Sequence, residues 1–277
     1  MTNQPNRKIM LITGASGGIG ADLARLAAAK GHDLALVARN RAALDALADS
    51  LEANSPETSP GQKNPRPLVF DGDLAKSGAG AALEDFLATS GAEPEIVVNN
   101  AGYGVLGPAA DGDLAEQLGM IDLNIRALTE LSLRFAKPLA RAKGRLLNVA
   151  SIAAFMPGPG MAIYYASKAY VLSFSEALSA ELAPLGVSVT ALCPGPVPTG
   201  FQQRARFYAN MSMVKLGALP SPEVARIGYE GMMARKRVVI PGAVSKFVAW
   251  SAPLTPKSLS LAAVSALQLR RKTKEGS

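Results

Sequence analysis

Histidine, cysteine and tryptophan each occur once in this chain of 277 residues, and each scarcity excludes something. A lone Cys193 leaves no intrachain disulfide, which removes the disulfide-stapled secreted folds and makes cytoplasmic residence the expectation. One histidine and one cysteine do not make a soft metal centre, so no metal site is expected. A Ser-His-Asp hydrolase would have to use His32, which stands in a Lys-Gly-His-Asp stretch with the character of a turn. No uninterrupted apolar run reaches the roughly 18 residues that cross a bilayer. Met1 to Lys8 is polar and lacks the apolar middle of a signal peptide. Aromatic residues make up only 5% of the chain and no nucleic-acid motif is present, so the net charge of +7 is not read as a nucleic-acid footprint. Much of that charge sits at the end, in Arg270, Arg271, Lys272 and Lys274, where a solvated surface is the plain reading.

What is present is a regular alternation. Short apolar runs at Lys8–Thr13, Asp33–Ala38, Pro67–Phe70, Glu95–Asn99, Arg145–Ala150, Val187–Cys193 and Val238–Ile240 are apolar nearly throughout, the pattern of strands covered on both faces. Between them lie alanine- and leucine-rich segments of helical length, Gly18–Lys30, Arg41–Ala53, Ala79–Ser90, Asp113–Lys137, Ala162–Leu185 and Pro222–Ala234. This order predicts an α/β fold with a parallel sheet and helices on both faces. Ala53–Pro67, with four prolines among polar residues, is expected to be an exposed loop. No repeat or composition shift marks a second domain. Residues 1–242 are read as one dinucleotide-binding catalytic domain. Residues 243–277 are read as an apolar and basic helical extension that Pro253 and Pro256 should break.

Thr13-Gly14-Ala15-Ser16-Gly17-Gly18-Ile19-Gly20 follows the first strand and opens the first helix. Glycines at such a turn let the backbone approach a pyrophosphate, which the free N–H groups of the helix N-terminus then hold. The second strand ends Leu36-Val37-Ala38-Arg39-Asn40-Arg41. No acid is present there to take a ribose 2′-hydroxyl, whereas guanidinium groups suit a 2′-phosphate. NADP(H) is therefore the expected cofactor, with Arg39 the first candidate for the phosphate and NAD(H) left open.

Tyr164 and Lys168 stand at i and i+4 of a predicted helix and so share a face. A tyrosine near its ordinary pKa of about 10 is a poor acid–base group at neutral pH, and an adjacent ammonium favours its phenolate. Ser151 ends the fifth strand, at the carboxyl edge where ligands of such sheets bind. Asn124 falls in mid-helix, and Asn99-Asn100-Ala101-Gly102 closes the fourth strand.

Together these segments resemble the short-chain dehydrogenase/reductase family from about Lys8 to Ile240. The resemblance implies a single-domain Rossmann fold, a doubly wound parallel sheet of seven strands in the order 3-2-1-4-5-6-7. Gly14, Gly18 and Gly20 match the family's TGxxxGxG turn. Asp73, followed by Leu74, matches its adenine-contacting acid, and Asn99 to Gly102 match its NNAG motif. Asn124, Ser151, Tyr164 and Lys168 match its catalytic tetrad. Pro194-Gly195 with Thr199 matches the segment that meets the nicotinamide carboxamide. The implied cofactor contacts are Gly14, Ser16, Gly18, Ile19, Gly20, Arg39, Asp73, Leu74, Asn100, Ala101, Gly102, Tyr164, Lys168, Pro194, Gly195 and Thr199.

The resemblance also implies roles. Tyr164 is the acid/base, Ser151 orients the substrate, Lys168 binds the nicotinamide ribose and lowers the tyrosine pKa, and Asn124 holds a water in a proton relay. Tyr165, whose i+4 residue is Ala169, is expected to point elsewhere. One departure from NADP(H)-preferring members is the absence of a basic residue in the glycine turn, where Ser16-Gly17 stands; Ser16 is a candidate hydroxyl donor. Phe201–Leu219 is expected to form a lid over an apolar carbonyl or alcohol substrate, with Met156, Pro157 and Met161 lining the pocket. Ala243–Leu269 is compatible with packing over that lid, with a subunit interface, or with an anionic membrane surface. A homodimer or homotetramer is implied. An idle cofactor-binding regulator, and a lyase or epimerase using the dinucleotide transiently, are the alternatives to hydride transfer.

Overall fold

The computed structural model describes residues 7–54, 57–59, 62–198 and 218–268. Seven strands form one parallel sheet: β1 (Arg7–Thr13), β2 (Leu34–Ala38), β3 (Leu68–Asp71), β4 (Ala92–Asn99), β5 (Arg145–Val149), β6 (Ser188–Leu192) and β7 (Val238–Val239). Their order is β3-β2-β1-β4-β5-β6-β7, as the resemblance implies. The chain starts in the centre, winds to one edge, then returns past β1 to the other. This leaves a crevice between the carboxyl ends of β1 and β4.

The continuous apolar runs are explained by two cores. Met10, Ile12, Leu34, Leu36, Ile96, Val98, Leu147 and Leu192 face one side, where they meet helices α1 (Gly18–Ala29) and α2 (Arg41–Ala53). Ile9, Leu11, Ala35, Val37, Val97, Leu146 and Val189 alternate to the other side, against α3 (Ala79–Thr89) and the helices that follow β4. Because successive strand residues point to opposite faces, a strand buried on both faces must be apolar at every position.

Two segments depart from the sequence reading. Asp113–Lys137, expected as one helix, is three. Helix α4 (Leu114–Ile121) runs into a π-helical turn (Asp122–Ala127), then α5 (Leu128–Arg134), and α6 (Ala136–Ala142) starts after a break at Phe135. Pro138 accounts for the break, since its missing N–H and its ring prevent a helical bond to the Arg134 carbonyl. Within Ala53–Pro67, expected as a plain loop, Glu57–Ser59 pairs antiparallel with Gln62–Lys63. Its residues are polar, so hydrophobic periodicity carries no sign of that pairing.

The remaining helices are α7 (Ala162–Leu182), α8 (Ser221–Met233), α9 (Ala243–Ser251) and α10 (Lys257–Gln268). The apolar face of α8 (Val224, Ala225, Tyr229, Met232) joins the first core. The extension breaks where its prolines predict: α9 ends in a 3₁₀ turn at Ala252–Leu254, and α10 begins after Pro256. Among the described residues no helix is long and apolar enough to cross a membrane.

Candidate active site

The glycine turn is built against the end of β4. Thr13 Oγ1 accepts from the N–H groups of Asn100 and Ala101, each at 3.0 Å. Asn100 Nδ2 donates back to the carbonyls of Thr13 at 3.0 Å and Gly14 at 3.2 Å. The turn is thereby pulled against the fourth strand, and no room remains for a side chain at Gly14 or Gly20. A Cβ on Gly20 would lie 2.4 Å from the Gly14 carbonyl oxygen and 2.5 Å from Asn100 Nδ2. Gly14 also has φ +67°, a left-handed conformation that glycine adopts without strain.

This turn forms one wall of a cleft of about 1210 Å³. The cleft exceeds the roughly 300–1,000 Å³ of an ordinary small-molecule pocket, so a dinucleotide and a second small molecule fit together. Its lining includes Gly14, Ser16, Gly18, Ile19, Arg39, Asp73, Leu74, Asn100, Ala101, Gly102, Ser151, Tyr164, Lys168, Pro194 and Gly195. Gly20 is not in the wall; it lies behind it, packed on Gly14. Thr199 lies outside the described residues. At Gly17, which lines the cleft at the start of α1, a Cβ would meet nothing within 4 Å, and this open backbone beside the first turn of α1 fits a pyrophosphate.

The two arginines at the end of β2 differ. Arg41 opens α2, where Asn40 caps the helix, and its guanidinium is held by Asp45 at 2.7 Å and Asp71 at 3.3 Å. Those carboxylates raise its already high pKa, hydrogen bonding to Asp45 first. Arg39 is exposed, lines the cleft and makes no ion pair with the described residues. Its charge is therefore available to a ligand anion. Asp73 accepts from the N–H of Ala75 at 3.1 Å and so shapes its own turn at the cleft wall.

Ser151, Tyr164 and Lys168 line the same cleft. Ser151 leaves β5 in extended conformation, and its Oγ accepts from the N–H of Ala153 at 3.1 Å. Lys168, one helical turn beyond Tyr164 on α7, donates from Nζ to the Val149 carbonyl at 2.8 Å. Its Nζ lies 5.8 Å from the centre of the Tyr164 ring. Burial governs both ionisations. It pushes the Tyr164 phenol up to about 12, against a hydrogen bond with Ser151 that acts the other way. It also pushes the Lys168 ammonium down to about 8. Among the protein's own groups, loss of water sets the tyrosine's direction, and the phenol is protonated at neutral pH.

Asn124 sits in the π-helical turn and is buried, but its side chain is outside the cleft wall. Its Oδ1 accepts from Tyr103 N–H at 3.1 Å, and its Nδ2 donates to the Tyr103 carbonyl at 2.9 Å and Ser167 Oγ at 3.1 Å. The amide is thus committed to protein groups, and it ties the loop after β4 to α7 beside Lys168. Asn99, in the motif at the end of β4, likewise turns inward. Its Nδ2 donates to Ser132 Oγ and Asn148 Oδ1, both at 3.0 Å, and Asn148 Nδ2 donates to Ser175 Oγ at 2.9 Å. This buried network pins β4 and β5 to α5 and α7. Asn148, Ser132, Ser167 and Ser175 drew no notice in the sequence, although a polar Asn148 inside an apolar strand run was a signal.

The substrate side of the cleft is apolar. Met156 and Met161 line it as expected, whereas Pro157 does not. Of the expected lid, all but Ala218 and Leu219 lies outside the described residues. Val244 and Val248 of α9 and Val264 and Gln268 of α10 complete the wall. Tyr165 was expected to point elsewhere but also lines the cleft. Its ring meets Tyr164 edge-on, with centres 6.2 Å apart, and its hydroxyl accepts from Gln268 Nε2 at 2.8 Å. A helix step of one residue separates the two tyrosines by about 100°, and both reach the cleft because the extension folds back over the second one.

Comparison with known proteins agrees with this architecture. Residues 8–208 match the short chain dehydrogenase family. A solved short-chain dehydrogenase of Sphingobium yanoikuyae in complex with NADPH is 33% identical, with a TM-score of 0.76 over 88% of this chain and 92% of the other. A solved alcohol dehydrogenase of Comamonas testosteroni, specific for bulky-bulky ketones, is 28% identical, with a TM-score of 0.70 over 100% of this chain and 96% of that one. The NADPH-dependent 1-acyldihydroxyacetone phosphate reductase of Schizosaccharomyces pombe is 32% identical over 198 residues, which are 71% of this chain and 62% of that protein. With the family match spanning both the glycine turn and Tyr164, the chain belongs to the short-chain dehydrogenase family and is an NAD(P)(H)-dependent oxidoreductase acting on a small carbonyl or alcohol.

Proposed function

We propose that this protein is an NADP(H)-dependent reductase of apolar carbonyl compounds, with Tyr164 as its acid/base. The observation that carries this reading is that Ser151, Tyr164 and Lys168 line the same cleft as the glycine turn. A bound nicotinamide supplies the hydride, or takes it up in the reverse direction. Tyr164, protonated below about pH 12, donates its hydroxyl proton to the carbonyl oxygen. Ser151 Oγ offers that oxygen a second hydrogen bond. Lys168, an ammonium below about pH 8, stabilises the phenolate left behind. Asn124 acts as a positioning residue, since its bonds to Tyr103 and Ser167 hold the loop and helix that flank Lys168.

Arg39, without an ion pair among the described residues, supports the preference for NADP(H), and Ser16 lines the same cleft. Apolar Met156, Met161, Val244, Val248 and Val264 support a lipophilic substrate, in keeping with the bulky ketones named for the Comamonas enzyme. Residues 243–268 complete that wall, so we assign the extension to the catalytic unit rather than to an independent module. Leu114, Leu118 and Ile121 form an exposed i, i+4, i+7 stripe on α4, which supports a homo-oligomer. Cytoplasmic residence is retained as part of this proposal.

The test is direct. Purified protein is mixed with NADPH and a panel of ketones and aldehydes, and absorbance at the nicotinamide band is followed. Turnover that vanishes in Tyr164→Phe while NADPH binding is kept supports the mechanism. Full activity in that variant overturns it, and tight NADPH binding without turnover on the whole panel points instead to a regulator.

A further inference from the structure

The extension carries a feature that hydride transfer does not use. Phe247 and Trp250 on α9 and Leu254 in the following 3₁₀ turn are 66%, 69% and 71% exposed. At spacings of three and four they share one side of the helix. The opposite side, Ser245 and Ala249, is buried, and between the two Val244 and Val248 reach the cleft. One short helix therefore presents three faces: to the core, to the substrate and outward.

Charge is segregated in the same stretch of sequence. Residues 243–277 hold six of the 29 basic residues (Lys246, Lys257, Arg270, Arg271, Lys272 and Lys274) and one of the 22 acidic ones, Glu275. That is a net +5 of the whole +7, leaving +2 for the other 242 residues. Exposed aromatic and aliphatic side chains flanked in sequence by Lys246 and Lys257, within a stretch so rich in cations and poor in acids, suit an interface that is apolar below and anionic at its surface. A protein partner of that chemistry would need an acidic rim around an apolar socket, whereas an anionic bilayer offers both everywhere.

We propose that the outer face of α9, with Phe247, Trp250 and Leu254, docks peripherally on an anionic lipid surface and so brings the cleft mouth to the membrane. Because Val244 and Val248 lie on the same helix, docking sets the apolar half of the cleft beside the lipid. The docking itself does not depend on the reaction proposed above.

Trp250 is the single tryptophan of the chain, so its emission reports this face alone. The full-length protein is titrated with vesicles of phosphatidylcholine containing phosphatidylglycerol, and with phosphatidylcholine vesicles as the control. Expected are a blue shift of the Trp250 emission and co-flotation with the anionic vesicles only. Phe247→Ser/Leu254→Ser, which keeps the reporter, should partition at least about tenfold more weakly. It should also bind NADPH as the parent does, which shows that it folds. Absence of shift and flotation with the parent protein overturns the proposal. So does blue emission without lipid together with a dimer that the double variant dissociates, since the face is then a subunit interface.

Discussion

Lys168 is a buried cation whose Nζ donates to the Val149 carbonyl, and its removal has a definite consequence for stability. Burial moves its pKa from 10.5 to about 8. At about 1.4 kcal/mol per tenfold change in proton affinity, keeping the ammonium in the folded protein costs on the order of 3 kcal/mol at pH 7. Because the folded pKa lies below the unfolded one, the unfolded chain binds more protons between pH 8 and 10.5. The penalty is therefore full below pH 8 and fades as pH rises through that window. Lys168→Met removes the penalty but leaves the Val149 carbonyl without its donor, a loss of about 1 kcal/mol. The variant should be inactive yet more stable than the parent by about 2 kcal/mol at pH 7, and less stable by about 1 kcal/mol above pH 10.5. Urea unfolding of both proteins at fixed ionic strength from pH 7 to 10.5 measures the difference, in which other titrating groups cancel. A difference that stays flat across this range would refute the reasoning, because a pH-independent gain means packing and not a buried charge.

Further outcomes follow from the same geometry. Arg39→Ser should lower the preference for NADPH over NADH by about ten- to a hundredfold, the worth of one charge-assisted contact, as read by competitive binding of the two dinucleotides. Gly20→Ala, with its Cβ 2.4 Å from the Gly14 carbonyl oxygen, should abolish NADPH binding and lower Tm. Asn148→Leu leaves Ser175 and Asn99 short of partners in a buried network and should cost roughly 2 kcal/mol in the unfolding free energy. For carbonyl reduction, kcat/KM should decline as pH rises through about 8, where Lys168 loses its charge, while cofactor-free controls stay unchanged.

The fold was legible because its determinants are local and repetitive. Strands such as Ile9–Ile12 and Leu34–Val37 are buried on both faces and must be apolar throughout, and α2 begins at Arg41 and ends at Ala53 where the sequence places it. The glycine turn, Ser151 and the Tyr164–Lys168 pair, which line one cleft, stand at fixed spacings, so their order alone pointed to the candidate site. The chain could not disclose in the same way what depends on distant segments meeting. The Asn124 side chain is bonded to Tyr103 and Ser167, residues 21 and 43 positions away in sequence. Tyr165 gained a place at the cleft through Gln268, 103 positions away. The effect of burial on Tyr164 and Lys168 was not legible, since spacing states which charges are neighbours but not how much water the fold removes from them. Sequence by itself determined the sheet, the turn and the choice of the proposed reacting groups, because each follows from local periodicity and residue type. Tertiary structure decided which side chains face the cleft, which are consumed in bracing it and how burial sets their protonation, because those depend on contacts that no local pattern encodes.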